Sequence, residues 1–267
     1  HTFPNYFNNK LKDIDFTQKI NILTNQTAQG LRLLESFSSL LNSSTTQQVV
    51  LLIQDNNELK SSGGTIRSIA LANIENQKVT NIRLVSAGQV DQQMVGQIPA
   101  PPAIEALTGR TGLSFTNSNT SASFIENAYL INKFLKNSLN ITPDLIVGIT
   151  TQVLKDIDPS SEDTTFLVEK IIEGVQTQNL PLISFVRPVI NTLNQDDLRV
   201  WFKDPATEGP NINYSLAGNI FLSPCHPLLA SNNCFADMAY LAENNLSVAP
   251  FNLYQNRQVQ HLVTVQG

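Results

Sequence analysis

Gln47-Gln48-Val49-Val50-Leu51-Leu52-Ile53-Gln54 is the stretch on which the fold turns. Five apolar residues run without a break between pairs of polar ones. The run is too short for an ordinary helix and does not alternate, so it reads as a strand buried on both faces. Upstream, Ala28, Leu31, Leu34, Phe37, Leu40 and Leu41 recur at helical spacing over about 26–41, and Asn42-Ser43-Ser44-Thr45-Thr46 ends that helix. Downstream, a polar turn is expected through Asn56-Asn57 and Ser61-Ser62-Gly63-Gly64. Residues 66–73 and 79–85 then alternate, with many β-branched side chains, and read as a hairpin closed by Glu75-Asn76-Gln77-Lys78.

Further along, residues 86–103 read as loop, ending in the rigid Pro99-Ala100-Pro101-Pro102. A helix is expected over 121–139, with Phe124, Ala128, Ile131, Phe134 and Leu135 on one stripe. A short buried strand at 145–149 and a helical turn at 151–157 follow. Asp158-Pro159, with Glu162 and Asp163, then has the form of a helix N-terminus, and that helix should run to about 178. A helix over 182–193, bent near Pro188, and a strand over 198–202 come next. Residues 204–234 read as loop, and 238–248 with 257–265 as a closing antiparallel pair. The expected class is α/β with an α+β tendency: a mixed sheet with antiparallel hairpins, flanked by helices. Residues 1–25 form an irregular N-terminal segment and 26–267 a single mixed domain.

Charged residues are only 15% of the chain and the net charge is −5. Asn takes up much of the difference, at about one residue in nine, roughly double an ordinary share. With no Lys/Arg cluster, nucleic acid is not an expected partner. No apolar run approaches the ~18 residues of a membrane span. A surface solvated by neutral amides and hydroxyls points to an extracellular, cell-surface location. Cys225 and Cys234, in SPCHPLLASNNC, suit a single disulfide in an oxidising compartment, with two free thiols as the alternative. A zinc site adding His226 and His261 matches no standard spacing. His1 is not a translation start, so a signal or membrane anchor is expected upstream.

Standard catalytic signatures are missing. No G-x-S-x-G, H-E-x-x-H, P-loop or Rossmann glycine pattern occurs, and no cofactor or metal is expected. Asp55 to Lys60 superficially has the look of a calcium loop, but Leu59 and Lys60 fall where a ligand and a glycine are needed. Asp156, Asp158, Glu162 and Asp163 could bind a cation, but a helix cap explains most of them. The distinctive segment is 50–68. There Gly63 and Gly64 permit positive φ or close backbone approach, and exposed N–H groups with Lys60 and Arg67 could hold an anion; the alternative, which carries more weight, is a tight turn whose buried Asn and Glu satisfy its backbone. The Asn-x-Ser/Thr sequons at Asn25, Asn42, Asn119, Asn140, Asn213 and Asn245 are of the number chance gives in so Asn-rich a chain.

This segment, Gln54-Asp55-Asn56-Asn57-Glu58-Leu59-Lys60-Ser61-Ser62-Gly63-Gly64, resembles a motif of bacterial envelope domain-of-unknown-function family 4012. Phe115 to Phe124, Asp144 to Ile149, Leu198 to Asp204 and Ala242 through Arg257 are similar to its later segments, in the same order. The departures are specific. Lys60 stands for the family's Arg, Thr65 for its aromatic, Thr120 for its Trp, Asn117 and Ala122 or Ser123 for its acids, and Pro250 near its Lys. Lys for Arg loses bidentate phosphate recognition. The resemblance implies an envelope protein anchored by a single upstream span. More distantly it implies a layout like that of the LytR-CpsA-Psr enzymes, which transfer lipid-linked glycopolymers; Arg67, Arg83, Arg110 and Arg187 are the arginines to watch.

The leading expectation is a non-catalytic cell-surface domain, structural, adhesive or glycopolymer-binding. Its partner would be an envelope glycopolymer or another surface protein. The candidate anion- or glycan-binding residues are Asn56, Asn57, Glu58, Lys60, Gly63, Gly64, Arg67, Asn117 and Asn119. A phosphotransferase-like enzyme or its degenerate relative is the second reading. It requires two arginines and an acid around an apolar-lined pocket. A self-associating lattice or filament subunit is the third.

Overall fold

The structure, a computed structural model, describes residues 38–157, 164–176 and 197–205, together with 31, 35, 208, 218, 243–245, 258–260 and 262. Five strands form one mixed sheet: β1 (Gln47–Lys60), β2 (Gly63–Glu75), β3 (Lys78–Ser86), β4 (Leu145–Thr150) and β5 (Leu198–Phe202), in the spatial order β3-β2-β1-β4-β5. β1 and β4 are parallel, and every other pairing is antiparallel. The mixed α/β class is as the sequence indicates. Helices α1 (Ala87–Gln92), α2 (Pro102–Thr108) and α3 (Phe124–Leu139) precede β4, while α4 (Thr151–Ile157) and α5 (Thr164–Gln176) follow it. Among the described residues, no helix is long and apolar enough to cross a membrane.

The apolar run of β1 lies at the centre of this sheet and serves both faces. Val50 and Leu52 join a core with Ile66, Ile69, Ile146 and Trp201, covered by Phe124, Ile131, Phe134 and Leu135 of α3. Ile53 faces the other way, into a core with Val147, Val200, Phe202, Val153, Leu154, Leu167 and Val168. Alternate residues on one strand point to opposite faces, so a run buried on both sides must be apolar throughout.

The β2–β3 hairpin closes where expected. Asn76 and Gln77 have φ of 51° and 64°, the left-handed pair that matches strand twist in a two-residue turn. β3 is an edge strand. Its ladder shifts register between Leu71 and Asn73 of β2, near Asn81 at φ 52°. With Lys78 and Arg83 on the same strand, this edge is poorly suited to pair with a second sheet.

Three expectations need correction. The polar turn is shorter than expected, because β1 continues through Asp55 to Lys60 and reverses only at Ser61-Ser62. Asp55 pairs with Thr65 and Leu59 with Gly64, so 56–58 are extra residues that bulge from the ladder. The 86–103 loop contains α1, whose N-terminus has a full capping box: Ser86 Oγ accepts from Gln89 N, and Gln89 Oε1 accepts from Ser86 N. The long helix begins at Phe124 and not at Ser121, because the Asn127 side chain ties down Ser121 as loop. The Asp158-Pro159 cap, the helix over 182–193 and both cysteines lie outside the described residues, as does most of the expected closing strand pair, of which 243–245, 258–260 and 262 are described and lie in no strand.

Candidate functional site

The polar bulge of β1 is fastened on three sides. Asp55 Oδ1 accepts from both the backbone and side-chain N–H of Asn57, at 3.0 and 2.9 Å. Asn56 Oδ1 accepts from Thr151 Oγ1 at 2.8 Å, tying the bulge to the start of α4. The Arg67 guanidinium donates to Asp55 at 3.0 Å and to Glu58 at 2.7 Å. Partial burial works against the charged form of Arg67, but the bond to Asp55 and the charge of Glu58 outweigh it and raise its pKa. Arg67 is itself the residue that bulges from β2, between the pairs Ile53–Ser68 and Gln54–Ile66. Two opposed bulges thus bring the acids of one strand to the arginine of the other.

Both glycines are dictated by backbone geometry. Gly63 has φ 108°, and a β-carbon there would sit 2.6 Å from Gln54 Oε1. At Gly64 a β-carbon would collide with the Asp55 backbone, 2.1 Å from its carbonyl oxygen. The Gly64 carbonyl accepts from buried Asn119 Nδ2 at 2.6 Å. Gly63 and Gly64 therefore serve close packing of the hairpin end in the structure seen here.

Lys60 is buried, and its ammonium donates to the backbone oxygen of Asn245. Burial lowers its pKa, and the charge of Glu58 acts the other way. Around it the 243–245 segment is stitched to the hairpin end. Asn245 N donates to Leu59 O at 2.8 Å and Ser61 N to Asn244 Oδ1 at 3.1 Å, while Asn244 Nδ2 reaches Ser61 Oγ and Thr120 O at 2.7 and 3.0 Å.

The opposite wall comes from the loop after α1. Asp91 receives the Phe115 backbone N–H at 2.6 Å and the Thr116 hydroxyl at 3.3 Å, which sets the short 3-10 turn Phe115–Asn117. Asn117 Nδ2 donates to Ser114 Oγ at 3.0 Å. Pro99 and Gly112 form a bridge that holds α2 beside this turn, and Pro102 occupies the first turn of α2.

Between the walls runs a groove of about 660 Å³. Glu58, Lys60, Arg67 and Asn117, all singled out in the sequence, line it together with Arg110. Thr65, Thr108, Ser114, Thr116 and Asn244 supply further hydroxyls and amides, and Ile104, Leu107 and Leu113 supply apolar surface. The volume is that of an ordinary ligand site. Asn56, Asn57, Gly63, Gly64 and Asn119 are not among its lining residues; they hold the bulge, the turn and the floor behind it. Arg83 lies on β3, away from the groove, and Arg187 falls outside the described residues. The sequons at Asn119 and Asn245 are buried. Among the described residues, no group of three or more His, Cys, Asp or Glu is placed to hold a metal ion. A smaller cavity of about 340 Å³ at the far end of the sheet includes the Asp144–Lys203 ion pair and none of these candidates.

Two residues of this region escape sequence reasoning. Asn127 sits inside the helical stripe of α3, where a polar residue passes for an exposed position. It is fully buried and joins Ser62 of the turn to Ser121 of the loop. Asn244 is separated from the hairpin by 183 residues, and only the fold brings them together.

No curated protein matches the sequence. Among solved structures, the crystal structure of protein gbs0355 from Streptococcus agalactiae is 13% identical. The likeness covers 67% of this chain and 76% of that one, with a TM-score of 0.39, a level that carries no argument here. The later segments of the resemblance, 198–204 and 242–257, lie outside the span on which a family is found. The family model described as "Protein of unknown function (DUF4012)" matches residues 45–171, from β1 into α5 with every groove residue but Asn244, and over that span the chain is similar to this family.

Proposed function

We propose that this is a non-catalytic binding domain of the bacterial cell envelope, displayed outside the cell, whose groove takes an extended glycopolymer. One observation carries the reading. The acids beside the groove are already spent on Arg67, and the Lys60 ammonium on Asn245. What remains facing a ligand is a set of fixed hydroxyls and amides with the Arg110 guanidinium, a surface suited to hydrogen bonding more than to proton transfer. The scarcity of charged residues and the abundance of Asn support the extracellular location.

Sedimentation with purified peptidoglycan sacculi tests this. The full chain should pellet with sacculi that carry their wall glycopolymers and stay in solution once those polymers are removed by acid extraction. An Arg110→Ala, Asn117→Ala double variant should lose the interaction while keeping its unfolding transition. Failure to pellet with either preparation would sink the reading.

A phosphotransferase-like activity is the second reading, and it has its own supporting observation. Arg67, Arg110 and Glu58 share the groove with Ile104, Leu107 and Leu113, which is the composition that reading requires. Metal-dependent turnover of a lipid-linked glycan by this chain would move the assignment there.

A further inference from the structure

Arg110 follows Gly109, the left-handed residue that ends α2. Its backbone N–H donates to Thr108 Oγ1 at 3.3 Å, and its side chain lines the groove from an exposed position. Among the described residues, the Arg110 guanidinium makes no hydrogen bond or ion pair. Arg67, which lines the same groove, is only partly committed. Its Nε and Nη2 donate to Asp55 and Glu58, while Nη1 makes no hydrogen bond among the described residues. The charges of the site do not cancel. Lys60, Arg67 and Arg110 stand against Glu58, and Asp55 adds a second carboxylate on Arg67. One positive charge is left over, in a chain whose net charge is −5. Beside these cations, Ser114 Oγ accepts from Asn117 Nδ2, which leaves the Ser114 hydroxyl hydrogen for a ligand.

Resting on the glycopolymer reading above, we propose that the groove selects an acidic polymer, whose repeat carries a carboxylate or a phosphate, and that Arg110 reads that charge. A guanidinium presents a planar fork of N–H groups that matches two oxygens of either acid, and the Ser114 hydroxyl supplies a further donor. A neutral sugar chain would leave the surplus charge uncompensated. Ile104, Leu107 and Leu113 line the same groove, and such apolar walls reduce the screening of that charge by water. The chain as a whole is acidic, so attraction for an anionic polymer is local to the groove. Lys60 and Arg67 contribute to the field, but their carboxylate and carbonyl partners hold them in the fold, which leaves Arg110 as the cation free to turn to a ligand.

Pelleting of the full chain with sacculi that carry their wall glycopolymers is measured at low salt and in about 1 M NaCl, where the screening length is about 3 Å. Affinity should fall about tenfold or more in the high salt. Competition at low salt then uses a hyaluronan octasaccharide for carboxylates, poly(glycerol phosphate) for phosphates and chitohexaose as the neutral chain. At least one acidic competitor should displace the sacculi at concentrations about tenfold below chitohexaose, and its identity separates the two acids. Arg110→Gln should weaken low-salt binding about tenfold, the scale of one charge-assisted hydrogen bond, and remove most of the salt dependence. Its unfolding transition should match wild type, and Arg110→Lys should keep the salt dependence. Pelleting that ignores salt, equal displacement by chitohexaose, or salt dependence undiminished in Arg110→Gln overturns the selection of charge and leaves the glycopolymer reading standing. Absence of pelleting at either salt concentration sinks both.

Discussion

The Asp144 carboxylate receives the Lys203 ammonium at 2.9 Å through one oxygen and the Gln48 backbone N–H, also at 2.9 Å, through the other. The backbone of Asp144 adds two more bonds, accepting from Lys203 N and donating to Gln48 O. One residue thus clamps the starts of β1 and β4 to the end of β5. The two side-chain contacts should differ in worth. Lys203 is half exposed, so Lys203→Ala should cost under about 1 kcal/mol. Asp144→Ala also removes the acceptor of a partly buried N–H and should cost about 1.5–3 kcal/mol. Urea unfolding of the two variants checks the ranking, and equal losses would contradict it.

Asn127 satisfies three groups at once. Its amide donates to Ser62 Oγ at 2.7 Å and Ser121 O at 2.8 Å and accepts from Ser121 N at 2.9 Å. Asn127→Ala should destabilise by about 1–3 kcal/mol, because buried partners lose their bonds. Asn127→Asp keeps the acceptor but puts a carboxylate against the Ser121 carbonyl, so it should not rescue. Recovery of wild-type stability in Asn127→Asp would show that only the Ser121 N–H matters.

Lys60 gives a pH signature. Its folded pKa lies below the ordinary lysine value, chiefly through burial, so between the two values the unfolded chain binds more protons. Stability should therefore rise with pH across a window that ends near the ordinary value of about 10.4. Below the window the penalty for a buried ammonium applies in full. Urea midpoints from pH 7.5 upward, compared with Lys60→Met, read this out. Wild type should gain on the variant as pH rises, and a constant difference would show that the burial penalty is absent.

A β-carbon on Gly148 would lie 3.0 Å from both Gln54 Oε1 and the Phe124 ring. Both neighbours are fully buried and cannot swing away. Gly148→Ala should cost about 1–3 kcal/mol through overpacking. Gly88→Ala is the control: a β-carbon there meets nothing within 4 Å, and helix propensity alone should make it neutral or slightly stabilising. Thermal unfolding of both variants tests the contrast.

Elements with strong apolar pattern were legible in the sequence. The centre of β1, the β2–β3 hairpin, α3, β4 and β5 all follow from runs or alternation among residues such as Val50, Ile69, Ile131, Ile146 and Val200. The outer half of β1 was not, because Asp55-Asn56-Asn57-Glu58 has turn composition and its bulge breaks the alternation that marks a strand. α1 was missed because only Ala87 and Val90 of its six residues are buried, and its true signal was the Ser86–Gln89 cap. At the groove, Glu58, Lys60, Arg67 and Asn117 could be picked by type. Arg110 was noticed without a place, and Asn244 is joined to the others by a contact no local pattern encodes.

β1 runs as one strand of 14 residues from the central ladder to the groove wall. A load applied at Glu58 or Lys60 is therefore passed along the strand axis into pairings with β2 on one side and β4 on the other. Those hydrogen bonds lie across the pull and share it, unlike a hairpin peeled open one rung at a time. This arrangement resists tension at the groove wall in shear, so a ligand pulled from the groove should let go before the sheet does.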